Sequence, residues 1–149
     1  MPQHSSIPTL KANLRTQLLA RGGLTGVQIS YGPPIPNPQR EIISLHDVTG
    51  ETHPQALARA IYPRDELYTL DVIVFVLHEG TDQKATTERA FALANEVYDQ
   101  LQTDPTVNGA VWFAQIEGPI ELRERASEDG MNRSAEYTIP VYCRMRMSA

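Results

Sequence analysis

Cysteine is nearly absent from this sequence: Cys143 is the only one in 149 residues. That excludes an internal disulfide and any zinc cluster built on cysteines. Lysine is also scarce. Lys11 and Lys84 are the only two, so arginine supplies 11 of the 13 basic residues. Against these stand 18 acids, for a formal net charge of −5. No block of basic residues occurs. Wrapping nucleic acid depends on neutralising phosphates, so an acidic chain without such a block is a poor candidate for it. The arginine excess suits interfaces, where a planar fork meets a carboxylate. A base-composition bias in a GC-rich genome accounts for it equally well.

Long apolar runs are missing too. The longest, Val72 to Leu77, lies between Asp71 and His78 and falls far short of the ~20 residues of a spanning helix. Met1 to Leu10 has no basic start and no apolar stretch, so no signal peptide is expected. The expectation is a soluble protein, made in a cytoplasm and without a membrane partner.

The material present suffices for one core: 41% of residues are hydrophobic and 21% charged. The length fits one domain, residues 1–149. Within it, 1–8 is expected to be an N-terminal tail and 119–134 a long charged loop or arm.

Leu10, Leu14 and Leu18 form one apolar helix stripe, opened near Ser6 or Thr9 and closed by Gly22-Gly23. Val27 to Tyr31 predicts a short strand. Pro33, Pro34, Pro36 and Pro38 then predict a stiff extended loop. Arg40 to His46 predicts a second strand. His53-Pro54 can open a short helix through Ile61 that Pro63 would end.

Glu66 to Glu79 is the strongest strand, rich in β-branched and aromatic residues. Both its faces are apolar from Val72 to Leu77. It should therefore be central and covered on both sides, the second by a neighbouring protomer. Asp82 or Thr81 caps a helix from about Lys84 to Thr103. Phe91, Ala94, Tyr98 and Leu101 mark its inner face, and Asp104-Pro105 stops it. Ala110 to Glu117 is a further strand. Ala135 to Met147 alternates cleanly, with Tyr137, Ile139, Val141, Cys143, Met145 and Met147 on one face. Pro140 lacks an N–H donor, which predicts a sheet edge or a bulge there. The predicted class is α+β: one largely antiparallel sheet, two main helices on one face, and a ring-forming protomer.

Motifs for chemistry are thin. His4, His46, His53 and His78 are scattered and show no metal-ligand spacing. Ser44, His46 and Asp47 lie together, but neighbouring strand residues point to opposite faces, so they do not make a triad. Gly22 to Gly26 follows a helix and lacks a phosphate loop's lysine, so a helix C-cap explains it. Cys143 reads as a small core hydrophobe. No catalytic, cofactor or metal site is expected. The segment from Pro119 to Arg133 stands out. It carries Glu121, Arg123, Glu124, Arg125, Glu128, Asp129 and Arg133 between two good strands, and it is long for a connection. It reads as a solvated loop or as an arm that docks on another subunit through charge pairs.

The order of these pieces carries a resemblance. A helix, a short strand and a Pro-rich loop precede Arg64-Asp65-Glu66-Leu67-Tyr68-Thr69-Leu70-Asp71-Val72-Ile73-Val74. Thr87 to Leu93 and Asp104-Pro105-Thr106-Val107 follow, and Ala135 to Val141 closes the chain with Arg144 and Arg146 beyond. From about Leu10 to Met147 this resembles the tail-terminator, or tail-completion, proteins of long-tailed bacteriophages (siphophages). The resemblance implies a homohexameric ring in the virion's tail-neck region. That ring caps the head-proximal end of the tail tube, stops its growth and offers a surface for head joining. The implied partners are further copies of the chain, the tail tube protein, a head-side neck or connector protein, and genomic DNA passing through the lumen without specific binding. The arm residues, with Arg64, Asp65, Arg144 and Arg146, are the candidate interface. Arg144 and Arg146 are expected to pair with acids of a neighbour. The rival readings are another head-tail connector or stopper, and a small cytoplasmic ligand-binding or enzymatic α+β domain.

Overall fold

The structure, a computed structural model, describes residues 5–34, 40–54 and 64–147. Helix α1 (Ile7–Leu19) leads through a short 3-10 turn (Gly22–Leu24) to strand β1 (Gln28–Ser30). Then come β2 (Glu41–Pro54), β3 (Arg64–Glu79), α2 (Gln83–Thr103), β4 (Phe113–Ile116), β5 (Glu121–Ala126) and β6 (Asn132–Met147). The strands form one sheet in the order β1-β2-β3-β6-β4, with β5 also on β6. Among the described residues only β1–β2 is parallel; the other pairings are antiparallel. The architecture is α+β, as the patterning predicts.

The core lies between the helices and one face of the sheet. Leu10, Leu14 and Leu18 of α1 meet Ala90, Leu93, Ala94 and Val97 of α2, over alternate residues of β3 (Leu70, Val72, Val74, Val76) and β6 (Ala135, Tyr137, Ile139, Val141). Asp82 caps α2 by accepting from the Ala85 N–H at 3.0 Å. At the far end Asp104 organises the stop. Its carboxylate accepts from the Thr106 hydroxyl (2.7 Å), the Asn108 N–H (2.7 Å) and Gln17 of α1 (2.8 Å). Those bonds, the Thr106 hydroxyl first, hold its carboxyl below the usual range. They also brace a left-handed turn that includes the β-branched Val107 at φ 48°, a costly conformation that needs such support.

Four expectations about the elements require correction. Residues 7 and 8 belong to α1, and Ser6 is buried, so the expected tail does not extend to residue 8. The segment from 119 to 134 is not a loop. β5 pairs with β6 from Glu121↔Thr138 to Ala126↔Arg133, making a hairpin. All six β5 residues are exposed, so no inward-facing alternation marked it as a strand. His53 and Pro54 end β2 instead of opening a helix; the rest of that predicted helix lies outside the described residues, as do Pro36 and Pro38.

β6 is flanked on both sides, by β3 along its full length and by β5 and β4 in succession. Pro140 sits where β5 has ended and β4 not yet begun. A strand residue sends its N–H and C=O to the same side. The Pro140 carbonyl accepts from the Glu117 N–H at 3.2 Å on the β4–β5 side, so the missing N–H also falls in that gap. β3 is central, as expected, and among the described residues the helices cover one of its faces. Val72, Val74 and Val76 are fully buried, whereas Ile73, Phe75 and Leu77 lie on the other face and are half-buried.

Candidate assembly surfaces

The hairpin of β5 and β6 carries most of the charged residues singled out in the sequence, in two roles. On β5, Glu121 and Arg123 pair with each other at 2.6 Å. Glu124 accepts from Thr87 of α2 at 2.7 Å, and Arg125 is exposed. In the turn, Glu128 is exposed, but Asp129 accepts from the Ser127 hydroxyl (2.5 Å) and the Met131 N–H (3.0 Å). The Ser127 bond leads in holding the Asp129 carboxyl low. Arg133 donates to the Gly130 carbonyl at 2.9 Å. Asp129 and Arg133 thus shape the hairpin instead of reaching outward. Sequence reasoning passed over the apolar residues among them: Ile120, Leu122 and Met131 are 59%, 40% and 60% exposed.

At the opposite end of the sheet, Arg64 opens β3 across from Met147, and Asp65 lies across from Arg146. Asp65 is 1% exposed and gripped by its own chain. Arg144 Nη2 reaches it at 3.0 Å and Arg146 Nε at 2.9 Å. Both guanidiniums lie over the Trp112 ring, 5.9 and 5.1 Å from its centroid. The expectation that Arg144 and Arg146 await acids from a neighbour is therefore corrected, because antiparallel register brings Asp65 to them within the protomer. About 40% of each arginine side chain remains exposed, and Trp112 is 46% exposed. An exposed tryptophan flanked by arginines has the composition of an interface anchor.

The arginines, Arg146 first, hold the Asp65 carboxyl below its usual range. A depressed folded pKa contributes stability that is present above the unfolded value, about 3.9, and is lost as pH falls through the folded one. Asp65→Asn should therefore lower the melting temperature near neutrality, and its gap to wild type should close in acid. Thermal melts between about pH 2 and 7 read this directly. A gap of constant size across that range would mean that the charge pairing stabilises nothing.

A second buried polar cluster escaped sequence reasoning. Glu66, on the core face of β3, accepts from the Ser6 N–H (2.9 Å) and the Ser6 hydroxyl (2.5 Å), and that hydroxyl also meets the Tyr68 hydroxyl at 2.9 Å. Burial pushes the Tyr68 hydroxyl above the usual tyrosine range. The cluster pins the start of α1 to β3, with a carboxylate at the helix N-terminus. The available signal was a glutamate at an inward position of a strand, which needs partners to be buried.

The third surface runs along α2 beside the outer strands. Phe91 packs on Tyr137 with ring centroids 4.5 Å apart. Tyr137 lies across from Leu122 in the ladder, and its hydroxyl meets that of Tyr98 at 3.1 Å. Further along, Tyr98, Leu101, Pro105, Ala114 and Ile116 line an open apolar groove. Cys143 is buried in the core, where desolvation pushes its thiol up to about 12, so it is a packing residue as expected. Among the described residues, no three His, Cys, Asp or Glu side chains group as metal ligands would.

These surfaces belong to a one-sheet α+β fold with its two helices packed on one face of the sheet. The same fold occurs in a chain of the virion of a native gene transfer agent particle. The likeness covers 95% of this chain and 99% of that one, with a TM-score of 0.53 and 15% sequence identity. No protein-family model matches the sequence, and no curated protein matches it either.

Proposed function

We propose that this chain is a structural virion-assembly protein of the tail-terminator type, which acts by forming a ring and not by catalysis. The ring, built from six copies, caps the head-proximal end of a tail tube, ends tube growth and presents its other side to a head-side neck or connector protein. Genomic DNA crosses the lumen without specific contacts, in keeping with a chain of net charge −5, which repels phosphate. The observation that carries this reading is the fold shared over nearly the full length of both chains with a chain of a virion. Its support in the molecule is physical. A head-to-tail ring needs two different complementary surfaces on each copy. The hairpin with its apolar residues and the Trp112–Arg144–Arg146 platform offer distinct ones, and the half-buried face of β3 offers apolar area.

Native mass over a concentration series, with negative-stain imaging of large species, tests it. The expected outcome is a six-membered ring, or a monomer that assembles once tail tube protein is added and then limits tube length. A monomer that leaves tube length unchanged would defeat the proposal. Binding to a connector without any capping of tubes would reassign the chain to a neighbouring neck position.

A further inference from the structure

Among the described residues β5 pairs with β6 alone, and all six of its residues are exposed. The ladder fixes which of its backbone groups point away from β6. The Ser127 N–H donates to the Asn132 carbonyl at 3.1 Å. By the alternation of an antiparallel ladder, Glu121, Arg123 and Arg125 then turn their N–H and C=O groups inward to β6,. Leu122, Glu124 and Ala126 turn theirs outward, where they form a template for another strand.

Charged side chains usually guard such an edge. On β5 their order guards it selectively. A second β5 can lie antiparallel beside the first across a two-fold axis, centred on any of its residues. Like charges directly opposite each other are destabilising. Centring on Glu121, Arg123, Glu124 or Arg125 sets that charge against its own counterpart, and centring on Ala126 sets Glu124 against Glu128. Centring on Leu122 sets Leu122 against its counterpart and Glu121 against the partner's Arg123, twice over, with no like charges opposed.

We propose that two copies of this chain pair through β5, antiparallel and centred on Leu122. Each Leu122 then exchanges its outward N–H and C=O with the other. On the outer face of the sheet Arg123 pairs with Glu121 of its own strand at 2.6 Å and lies across from Glu136 of β6. The partner's Glu121 completes its surroundings on the open side. On the α2 face the two Leu122 side chains meet. Each lies across from Tyr137, on which Phe91 packs. Leu122 and Phe91 are 40% and 37% exposed, and the seam covers them. Few residues are in register, so the pair is weak and forms as concentration rises. This contact goes beyond the ring reading and does not rest on it. A two-fold contact closes on two copies, whereas a ring needs two different surfaces. It also covers the hairpin, so a paired copy withholds that surface from a ring.

Disulfide trapping in the full-length chain tests the register. Opposite Cα atoms of a hydrogen-bonded antiparallel pair are about 5.5 Å apart, within the reach of a disulfide. Cys143 is buried and stays out of the reaction. Mildly oxidised Leu122→Cys should run as a covalent dimer on a non-reducing gel. Glu124→Cys and Ala126→Cys, also exposed, should give at least about tenfold less, because the register holds each more than about 10 Å from its counterpart. Circular dichroism checks folding. If Leu122→Cys does not fold, a mixture of Ile120→Cys and Glu124→Cys, which lie opposite each other in this register, takes its place. Charge is tested in the Leu122→Cys background. Added Glu121→Arg, or added Arg123→Glu, should slow cross-linking about tenfold by opposing like charges. Mixing those two proteins restores opposite charges at both positions, so the mixed dimer should form as fast as the parent's.

Equal cross-linking at all three positions, strongest cross-linking at Glu124→Cys, or a mixture no faster than its components would overturn the pairing. Rings that form without the Leu122→Cys cross-link would sink this contact and leave the ring reading standing. The cross-link in a chain that never forms rings, with tail tube protein or without it, would do the reverse.

Discussion

Leu14→Ala is expected to destabilise the protomer by about 3 kcal/mol, in the middle of the range for leucine truncation in a packed core. At this chain length that is roughly a 6–12 °C fall in melting temperature. Leu14 is fully buried, as are Leu10 and Leu18 one turn to either side. A helix of 13 residues is marginal alone, so its apolar stripe must hold it in place. Its polar ties, such as Gln17 to Asp104 and Arg15 Nε to the Ile29 carbonyl at 3.0 Å, are single bonds at its surface. Losing the central leucine therefore weakens the whole attachment of α1 and, through Arg15, the β1 edge beside it. Leu19, next in the sequence to Leu18 but 53% exposed, is the control. Leu19→Ala should stay within about 0.5 kcal/mol of wild type. Chemical denaturation of the two variants decides the matter; equal losses would mean that the stripe does not seat α1.

Leu14 was legible because its periodicity was uninterrupted. The same holds for β3, α2 and β6, where one buried face repeats over many residues. The stripe of α2 centres on Ala90, Leu93, Ala94 and Val97, with Phe91 left at its margin at 37% exposure. Phe91 was expected on the inner face, yet it stacks on Tyr137 at the rim. Elsewhere the pattern was broken by identifiable causes. In β2 the register shifts between Leu45 and Val48, so one extra residue stands opposite β3. Such a bulge re-phases a strand. Ile43 and Leu45 face the core before it, but Val48 does so after it, across from Leu70. A reading built on strict alternation stops at His46, and the second half of the strand is lost. β5 was missed for the opposite reason, since it has no buried face at all. In the candidate surfaces, the charged residue types were legible but their partners were not. Asp65 meets Arg144 and Arg146 only because β3 and β6 pair end to end.

Gly50→Ala should be as damaging as any truncation of the core, although it adds a single methyl group on a residue that the sequence does not mark. Gly50 lies directly across from Tyr68 in the β2–β3 ladder. A Cβ built there would overlap the Leu67 carbonyl oxygen and the Tyr68 Cβ, and would come within 2.6 Å of the Tyr68 Cα. These are backbone atoms and a side-chain root, not the movable tip of a long side chain. Relief therefore requires the two strands to separate. Tyr68 resists that, being 2% exposed and bonded through its hydroxyl to Ser6, which in turn holds Glu66. Overpacking of this kind costs about 1–3 kcal/mol where side chains can adjust, and Gly50→Ala should lie at the upper end because they cannot. Gly22, with nothing within 4 Å of its Cβ position, is the matched control, and Gly22→Ala should be close to neutral. The loss should also be local at first. Amide exchange should accelerate in residues 48–54 and 64–70 before it does in the β3–β6 centre, because low-stability segments open independently of the core. A Gly50→Ala protein that melts within about 2 °C of wild type, less than 1 kcal/mol at this size, would show that β2 and β3 are not held as close at this point as the structure places them.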